Sequence, residues 1–427
     1  MMLQKIGRLR DSQLLYGTVV VSAGTLLGSV FSYLLQVLLG RFLSVEDYGT
    51  FNALLSLSVI FGVPIGALVT ALIKKVTELR VANRFDVLTL LFKKFSLFSL
   101  LAGFYSFLLI VVSRYTLSSY LKIDHELLVF IFGVFTCLTF IIMAPSSYLQ
   151  GLLRFKAFAF FTSFSSFLRL LLALLFVVVL KTGLSGAFTG MSIAIVASYG
   201  ISLLLLKKNF TSHEVKIADE HFKEVFKFAI TTVFVTLGLN LLNNVDVLLV
   251  KHHFDPQDAG IYSGIVTVGK VFLFGASIIT VVMYPQISQL YASGGDYMRR
   301  FRHFFVLQAS VVSLGLGFFY FFSPLVIKTL FGNHFSEAAE YLPHFAIFVA
   351  LYILTYFMIM FFLATDKTKV YWFLLPASFA QFVLIELFHD SLTEVINVNV
   401  FVSLALFLAV TVYFFSSGRF VYSASKQ

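Results

Sequence analysis

Three charged side chains lie inside long apolar stretches of this sequence, where an ionised group is costly. Arg169 stands near the middle of one such stretch, Lys270 lies ten residues into another, and Asp246 is close to the end of a third. Charges at this depth in a membrane face a cavity or a partner, so a functional role is the first hypothesis. A cation there could lower the cost of moving an anionic group through a medium of low dielectric constant. We therefore interpret Arg169 and Lys270 as candidate anion-binding residues, Arg169 first because its planar fork matches phosphate oxygens.

Asp246 has two readings. It is a candidate site for a coupling ion or proton, since a buried carboxylate can bind either. The structural alternative is that it pairs with Lys251, five residues later, or with Lys270. Lys270 has a structural alternative of its own, because a long side chain can extend its charged end toward the membrane surface.

Two stripes of uncharged polar side chains accompany these charges. Residues spaced 4, 3 and 4 apart lie on one face of a helix, and the first apolar stretch has this pattern at Thr25, Ser29, Ser32 and Gln36. A second stripe follows 211 residues later at Thr236, Asn240 and Asn243. The stripes predict a shared water-filled cleft, with Thr25, Ser29, Ser32, Gln36, Asn240 and Asn243 as its polar lining. Packing between helices through small polar groups is the alternative.

The elements that position these residues must be membrane helices. The chain is 59% hydrophobic and 12% charged with a mean hydropathy of +0.93, whereas soluble domains are about one quarter charged. Residues 14–40 carry no charge, and about 20 apolar residues suffice to span a bilayer as a helix. The apolar runs are long and lack a period of two, which favours helices over barrel strands. The first run is too long for a signal peptide and a second follows at once.

The hydropathy pattern predicts an all-α protein with about twelve transmembrane helices. They lie near residues 15–39, 51–73, 95–113, 127–147, 158–180, 187–206, 229–250, 261–284, 304–327, 344–364, 371–388 and 395–415. Of the 31 Lys and Arg residues, 23 fall at the termini and in alternate connections, 6 fall in the others and 2 lie within spans. Positive residues concentrate on the cytoplasmic side, so both termini are predicted to be cytoplasmic. The net charge of +10 then needs no nucleic-acid partner.

An internal repeat relates the two halves. The short polar turn LGRFLSVEDYGTF (39–51) is echoed by LVKHHFDPQDAGIY (249–262), and a shift of 211 pairs Gly49 with Gly260. Further along, GLLRFK resembles ATDKTK at a shift of 213. An even number of spans separates the copies, which predicts parallel repeats and a central cleft. The predicted organisation is an N-lobe (1–210, spans 1–6), a cytoplasmic linker with an amphipathic segment (211–228), and a C-lobe (229–427, spans 7–12).

Four stretches resemble a known family. They are LLGRFLSVEDYGTFNALLSLSVIFGVP (38–64), YLQGLLRFKAFAF (148–160), NNVDVLLVKHHFDPQDAGIYSG (243–264) and LFGNHFSEAAEYLP (330–343). In order and spacing they resemble the polysaccharide (O-antigen-type) flippases of the multidrug/oligosaccharidyl-lipid/polysaccharide exporter superfamily. The resemblance implies a bacterial inner-membrane protein that moves a lipid-linked oligosaccharide, typically on undecaprenyl pyrophosphate, to the outer leaflet by alternating access. It implies no catalysis and no cofactor, coupling to an H⁺ or Na⁺ gradient or to the membrane potential, and a polysaccharide polymerase and export machinery as partners.

Other classes of function fit the sequence less well. A drug or cation antiporter of the same superfamily is the alternative, but it would favour acidic groups in the N-lobe, where spans 1–6 hold no central carboxylate. An enzyme would need a site-bearing loop, and the longest outer loop carries no metal-binding or nucleophile pattern. No G-x-x-x-x-G-K-[ST] motif occurs, so a P-loop ATPase is excluded.

Overall fold

Helices make up the fold. The computed structural model describes residues 2–207 and 220–424, so residues 211–219 of the predicted linker lie outside the described part. The helices are α1 Met2–Phe42, α2 Val45–Val81, α3 Phe85–Val112, α4 Arg114–Tyr120, α5 Glu126–Ile141, α6 Met143–Gly151, α7 Phe155–Leu174, α8 Gly183–Leu206, α9 Glu220–Leu242, α10 Val245–His253, α11 Pro256–Ala292, α12 Tyr297–Phe331, α13 Ala338–Ala364, α14 Tyr371–Leu387 and α15 Leu392–Ala424. Within these ranges there is no strand, which confirms the predicted all-α class.

The apolar helices have the lengths that a bilayer requires. Ten helical segments of the described chain are long and apolar enough to span a membrane, and α9 with α10 forms an eleventh if a bend of 41° is allowed within one span. A shorter apolar segment, Trp372–Leu387, coincides with the predicted span 371–388. A multi-pass membrane fold is therefore confirmed, while the number twelve and the cytoplasmic termini stay predictions.

The repeat recurs in the turns between helices. Leu153 and Asp366, 213 residues apart, both adopt a left-handed backbone, with φ of 51° and 57°. Asn83 and Gly294, 211 residues apart, do the same, with φ of 54° and 69°. At all four turns the next amide donates to the carbonyl five residues earlier, which closes the helix end in a Schellman-type turn. Matching turns at matching shifts support the internal repeat, while its parallel orientation stays a prediction.

The helices that follow the two polar turns of the repeat, α2 and α11, cross at the paired glycines Gly49 and Gly260. A Cβ atom added to Gly260 would lie 2.0 Å from the carbonyl oxygen of Val45, and one added to Gly49 would lie 2.8 Å from the Gly260 nitrogen. Only residues without a side chain allow two backbones to approach so closely. Ser44 caps α2, since its Oγ accepts the Asp47 N–H at 3.1 Å.

The described chain packs as two compact units, comprising Met1–Leu43 with Phe61–Val233, and Ser44–Ile60 with Phe234–Gln427. In the first unit α7 packs against α1 and α8, and α3 against α5. In the second, α13 is central and packs against α11, α12 and α15. The predicted lobe boundaries stay a prediction.

Candidate functional site

In the first unit, small residues bring α1 and α7 into close contact. A Cβ atom on Gly24 would lie 2.4 Å from the Ala159 Cβ, and one on Gly28 would lie 3.2 Å from the Thr162 carbonyl oxygen. The Ser163 hydroxyl donates to the Gly24 carbonyl at 2.7 Å. Small residues four apart are the usual way for membrane helices to approach closely. This close contact between α1 and α7 determines which of the following α7 side chains lie against α1.

One turn beyond this contact, hydrogen bonds link three polar side chains in series. The Ser32 hydroxyl donates to the Gly28 carbonyl at 2.9 Å and lies 3.3 Å from Ser166 Oγ. Ser166 Oγ also accepts a long hydrogen bond, 3.4 Å, from Arg169 Nη2. The Arg169 Nε atom is enclosed and has no hydrogen-bond partner. Ser32 and Arg169, which the sequence proposed as site residues, are thus brought together through Ser166.

Among the residues that the structure describes, no acidic side chain pairs with Arg169. The described ion pairs of this unit involve other residues, near the helix ends, and the apolar core of spans 1–6 contains no central carboxylate. A guanidinium has five N–H donors, and the half-buried Arg169 uses one in a long bond. The geometry leaves it able to bind a phosphate or carboxylate group with most of its donors.

The remaining residues of the first polar stripe differ in their exposure. The side chains of Thr25 and Ser29 are exposed on α1, whereas Gln36 is half-buried. The Gln36 Oε1 atom is enclosed without a hydrogen-bond partner. Gln36 follows Ser32 by one turn, as Arg169 follows Ser166, so the parallel helices α1 and α7 place the two unsatisfied groups at similar depth.

In the second unit, asparagines mark the break between α9 and α10. The side-chain amides of Asn240, Asn243 and Asn244 each donate to a carbonyl four residues earlier in the same helix, at 2.8, 3.4 and 2.8 Å. Asparagine competes for backbone hydrogen bonds and so favours helix ends. Asn240 and Asn243 therefore act partly on their own helix, and their side-chain carbonyl oxygens are what they can offer to a cleft. Thr236, one turn before Asn240, is half-buried.

Asp246 lies at the start of α10 in a fully buried polar cluster. Its Oδ2 atom accepts hydrogen bonds from the Tyr262 hydroxyl at 2.7 Å and from Asn399 Nδ2 at 3.2 Å. Gln381 Nε2 donates to Asn399 Oδ1 at 2.8 Å and to the Leu242 carbonyl at 3.2 Å. The cluster joins α10, α11, α14 and α15 to the end of α9. It stabilises the break in the span by giving its buried polar groups partners.

Lys270 lies beside this cluster without a hydrogen bond to it. A narrow cavity is lined by polar and aromatic residues including Asn243, Asp246, Lys270, Phe345 and Phe348. Lys270 attracts the Asp246 carboxylate electrostatically, but no ion pair joins them among the described residues. The structure thus brings three of the predicted site residues together in this unit.

Equivalent contacts in the two units refine the register of the repeat. The Ser378 hydroxyl donates to the Gly238 carbonyl at 2.9 Å, which reproduces the bond from Ser163 to Gly24 at shifts of 215 and 214. The polar turns of the repeat keep a shift of 211, so the second copy is three residues shorter across the break after α9. Before the break Asn240 is therefore equivalent to Leu26, and the two polar stripes are not residue-for-residue copies.

Four residues of these polar clusters were not predicted from the sequence. Tyr262, Asn399 and Gln381 hold Asp246 and the break, and all are fully buried. Asn399 and Gln381 are single amides in apolar runs, a signal that could have identified them. Ser166, equivalent to Gln381 at a shift of 215, was hidden among the serines of the α7 segment. No group of three or more His, Cys, Asp or Glu residues in the described chain is arranged to hold a metal ion.

The fold and the buried polar clusters define a class, a multi-pass helical membrane protein built from two repeated bundles. Residues 14–291 match the family described as polysaccharide biosynthesis protein, and the chain belongs to that family. No curated protein matches the sequence.

Solved structures with the same fold share little sequence with this chain. An inward-facing multidrug resistance MATE family transporter of the MOP superfamily has 11% identity and a TM-score of 0.77, covering 96% of this chain and 98% of its own. The lipid II flippase MurJ, in an inward closed conformation, has 15% identity and a TM-score of 0.72, covering 94% and 87%. A MOP superfamily transporter from Pyrococcus furiosus has 12% identity and a TM-score of 0.62, covering 93% and 95%.

Proposed function

We propose that this protein is a flippase that moves a lipid-linked oligosaccharide, with an undecaprenyl-pyrophosphate-type carrier, across the cytoplasmic membrane of a bacterium. The family concerns polysaccharide biosynthesis, and a neighbour in fold, MurJ, is described as a lipid II flippase. The chain would act in transport rather than catalysis, beside a polysaccharide polymerase and export machinery, and supply carrier-linked oligosaccharide for the cell surface.

The surroundings of Arg169 are the observation that most directly supports this proposal. The half-buried Arg169 has an enclosed Nε atom without a partner and one long hydrogen bond, and no carboxylate among the described residues pairs with it. Removing such a charge from water costs several kcal/mol unless a counter-charge returns it. The pyrophosphate of a carrier lipid offers that charge with oxygens that match the guanidinium fork. Thr25 and Ser29, exposed on α1, would meet sugar hydroxyls.

Alternating access is supported by the fold rather than by this structure alone. MATE family transporters with this fold have been solved in inward-facing and outward-facing conformations, with TM-scores of 0.77 and 0.64 to this chain. We propose that this chain also exposes Arg169 to each side of the membrane in turn. The central cleft would close behind the head group as it moves.

Asp246 is proposed as the coupling residue, with Lys270 beside it as a second cation for the substrate. The carboxylate accepts two side-chain hydrogen bonds in a buried cluster and could take up H⁺ or Na⁺ from a gradient. This carboxylate is also the one observation that favours the alternative, a drug or cation antiporter. We prefer the flippase because an organic cation would be repelled by Arg169.

Neutralising Arg169 tests the proposal in cells. In a strain that lacks its own flippase, Arg169→Gln should abolish export of surface polysaccharide, and Arg169→Lys should keep part of it because the charge remains without the fork. Lys181→Gln is the matched control, since it removes one positive charge from an exposed residue beyond the end of α7 and should export normally. Normal export by Arg169→Gln, at normal protein levels in the membrane, would rule out the anion site.

A further inference from the structure

A cationic cavity lies in the second unit, where α11 ends and α12 begins. Its volume is about 560 Å³, and its lining is polar and mostly basic: Gln286, Gln289, Leu290, Asp296, Arg299, Arg300 and His303. The charge pattern of the sequence predicts that this end of the helix pair faces the cytoplasm.

Arg300 is held in place by groups that carry no charge. Its Nε and Nη2 atoms both donate to the Gln286 Oε1 atom, at 3.0 and 2.7 Å. The guanidinium also lies 5.3 Å from the centroid of the Phe304 ring. A neutral acceptor and an aromatic face orient the cation without neutralising it. Arg300 is therefore preorganised and keeps donors for an anion.

The acidic side chain that lines the cavity, Asp296, caps a helix. One oxygen of Asp296 accepts the Arg299 backbone N–H at 2.9 Å and caps α12. The described ion pairs include neither Arg299 nor Arg300. His303 Nδ1 contacts the Arg299 carbonyl at 2.7 Å. Two arginines and a histidine against one capping carboxylate leave the cavity positive.

The cavity lies where two candidate spans meet, since by length and composition that of α11 ends at Ala292 and that of α12 begins at Tyr297. The rings of Tyr291 and Tyr297 pack edge to face there, with centroids 5.3 Å apart. Tyrosines concentrate at the interface between membrane and water, so the ring pair marks that level.

From these four observations we propose that the cavity binds the phosphate-bearing head group of an anionic membrane lipid in the cytoplasmic leaflet. Its volume is within the range of about 300–1,000 Å³ that small-molecule sites occupy. Arg300 would take the phosphate through its free edge, Arg299 would add a second cation, and the acyl chains would remain in the bilayer. This site is separate from the proposed transport site, and its test involves no transport.

Lipid binding to the purified full-length protein tests the proposal. Native mass spectrometry would follow titration with phosphatidylglycerol and with phosphatidylcholine, which shares the phosphate but carries no net charge. One interfacial positive charge contributes about fivefold to the affinity for an anionic lipid, and an oriented guanidinium more. We expect wild type to prefer phosphatidylglycerol and Arg300→Gln to bind it about tenfold more weakly.

Two further variants separate a built site from diffuse charge. Arg302→Gln removes the same charge from an exposed residue two positions away that does not line the cavity, and it should change binding less than about twofold. Gln286→Leu changes no charge but frees Arg300, and it should weaken binding several-fold. Equal losses for Arg300→Gln and Arg302→Gln, or no loss for Arg300→Gln and Gln286→Leu, would overturn the proposal.

A third arm identifies the source of the phosphate. Inorganic pyrophosphate is added to the wild-type protein in competition with phosphatidylglycerol. A lipid site predicts that pyrophosphate fails to displace the lipid at equal concentration. Binding of pyrophosphate that phosphatidylglycerol does not reverse would show a site for a soluble phosphate compound and would also overturn the proposal.

Discussion

The crossing of α2 and α11 at Gly49 and Gly260 can be tested by a substitution that adds a single methyl group. A Cβ atom on Gly260 would lie 2.0 Å from the Val45 carbonyl oxygen and 2.5 Å from its carbonyl carbon. Both contacts are with backbone, so no side-chain rotation can relieve them. For Gly260→Ala the helices must separate by about 1 Å, and such overpacking costs about 3 kcal/mol or more.

The same helix offers a control of opposite sign. A Cβ atom on Gly275, also in α11, meets nothing within 4 Å. Gly275→Ala should therefore stabilise the protein by about 0.5–1 kcal/mol, because alanine loses less backbone entropy in a helix. Gly49→Ala, whose Cβ would lie 2.8 Å from the Gly260 nitrogen, should fall between Gly260→Ala and wild type.

Thermal stability in detergent, measured by size-exclusion chromatography of heated samples, checks this order. An unfolding entropy of about 2 cal/mol/K per residue gives roughly 1 °C per kcal/mol for 427 residues. We expect Gly260→Ala to lose about 3 °C and Gly275→Ala to gain up to about 1 °C. Equal midpoints for the two variants would refute the backbone crossing.

Three further predictions concern buried polar groups. Tyr262→Phe removes a hydroxyl that donates to Asp246 and accepts from Asn399, and it should cost about 2 kcal/mol in the free energy of unfolding, measured in denaturant. Gln308→Leu should leave the free energy of unfolding unchanged or raise it by about 1 kcal/mol. Both amide atoms of Gln308 are enclosed without hydrogen-bond partners, and an apolar side chain removes their desolvation cost. A loss above about 1 kcal/mol would contradict this description of Gln308. Asp246→Asn should make transport insensitive to an imposed H⁺ or Na⁺ gradient while substrate still binds, and an unchanged gradient dependence in proteoliposomes would exclude Asp246 from coupling.

The fold was predictable because bilayer thickness constrains helix length and because turns demand particular residues. Hydropathy predicted the spans, and pairing Gly49 with Gly260 aligned the two polar turns of the internal repeat. The partners of the polar residues were not predictable in the same way. Periodicity places a residue on one face of its own helix but does not say how far that helix slides along its neighbour.

Asp246 illustrates this limit. Its sequence neighbours suggested pairing with Lys251 or Lys270, yet its hydrogen bonds come from Tyr262 and Asn399, 16 and 153 residues away. The asparagine break after α9 also changes the repeat shift by three residues, which hydropathy cannot detect. The sequence predicted Arg169 as a deep cation, but its contact through Ser166 depends on the packing of α1 on α7.

Flipping by the purified protein tests the central claim most directly. Proteoliposomes would carry a fluorescent undecaprenyl-pyrophosphate oligosaccharide, and a membrane-impermeant quencher would report how much of it reaches the outer leaflet. We predict that wild-type protein speeds this transfer strongly and that Arg169→Gln reduces the rate to near that of protein-free vesicles, while Lys181→Gln matches wild type. Transfer at the wild-type rate by Arg169→Gln, or movement of organic cations but not of the lipid by wild type, would contradict the account.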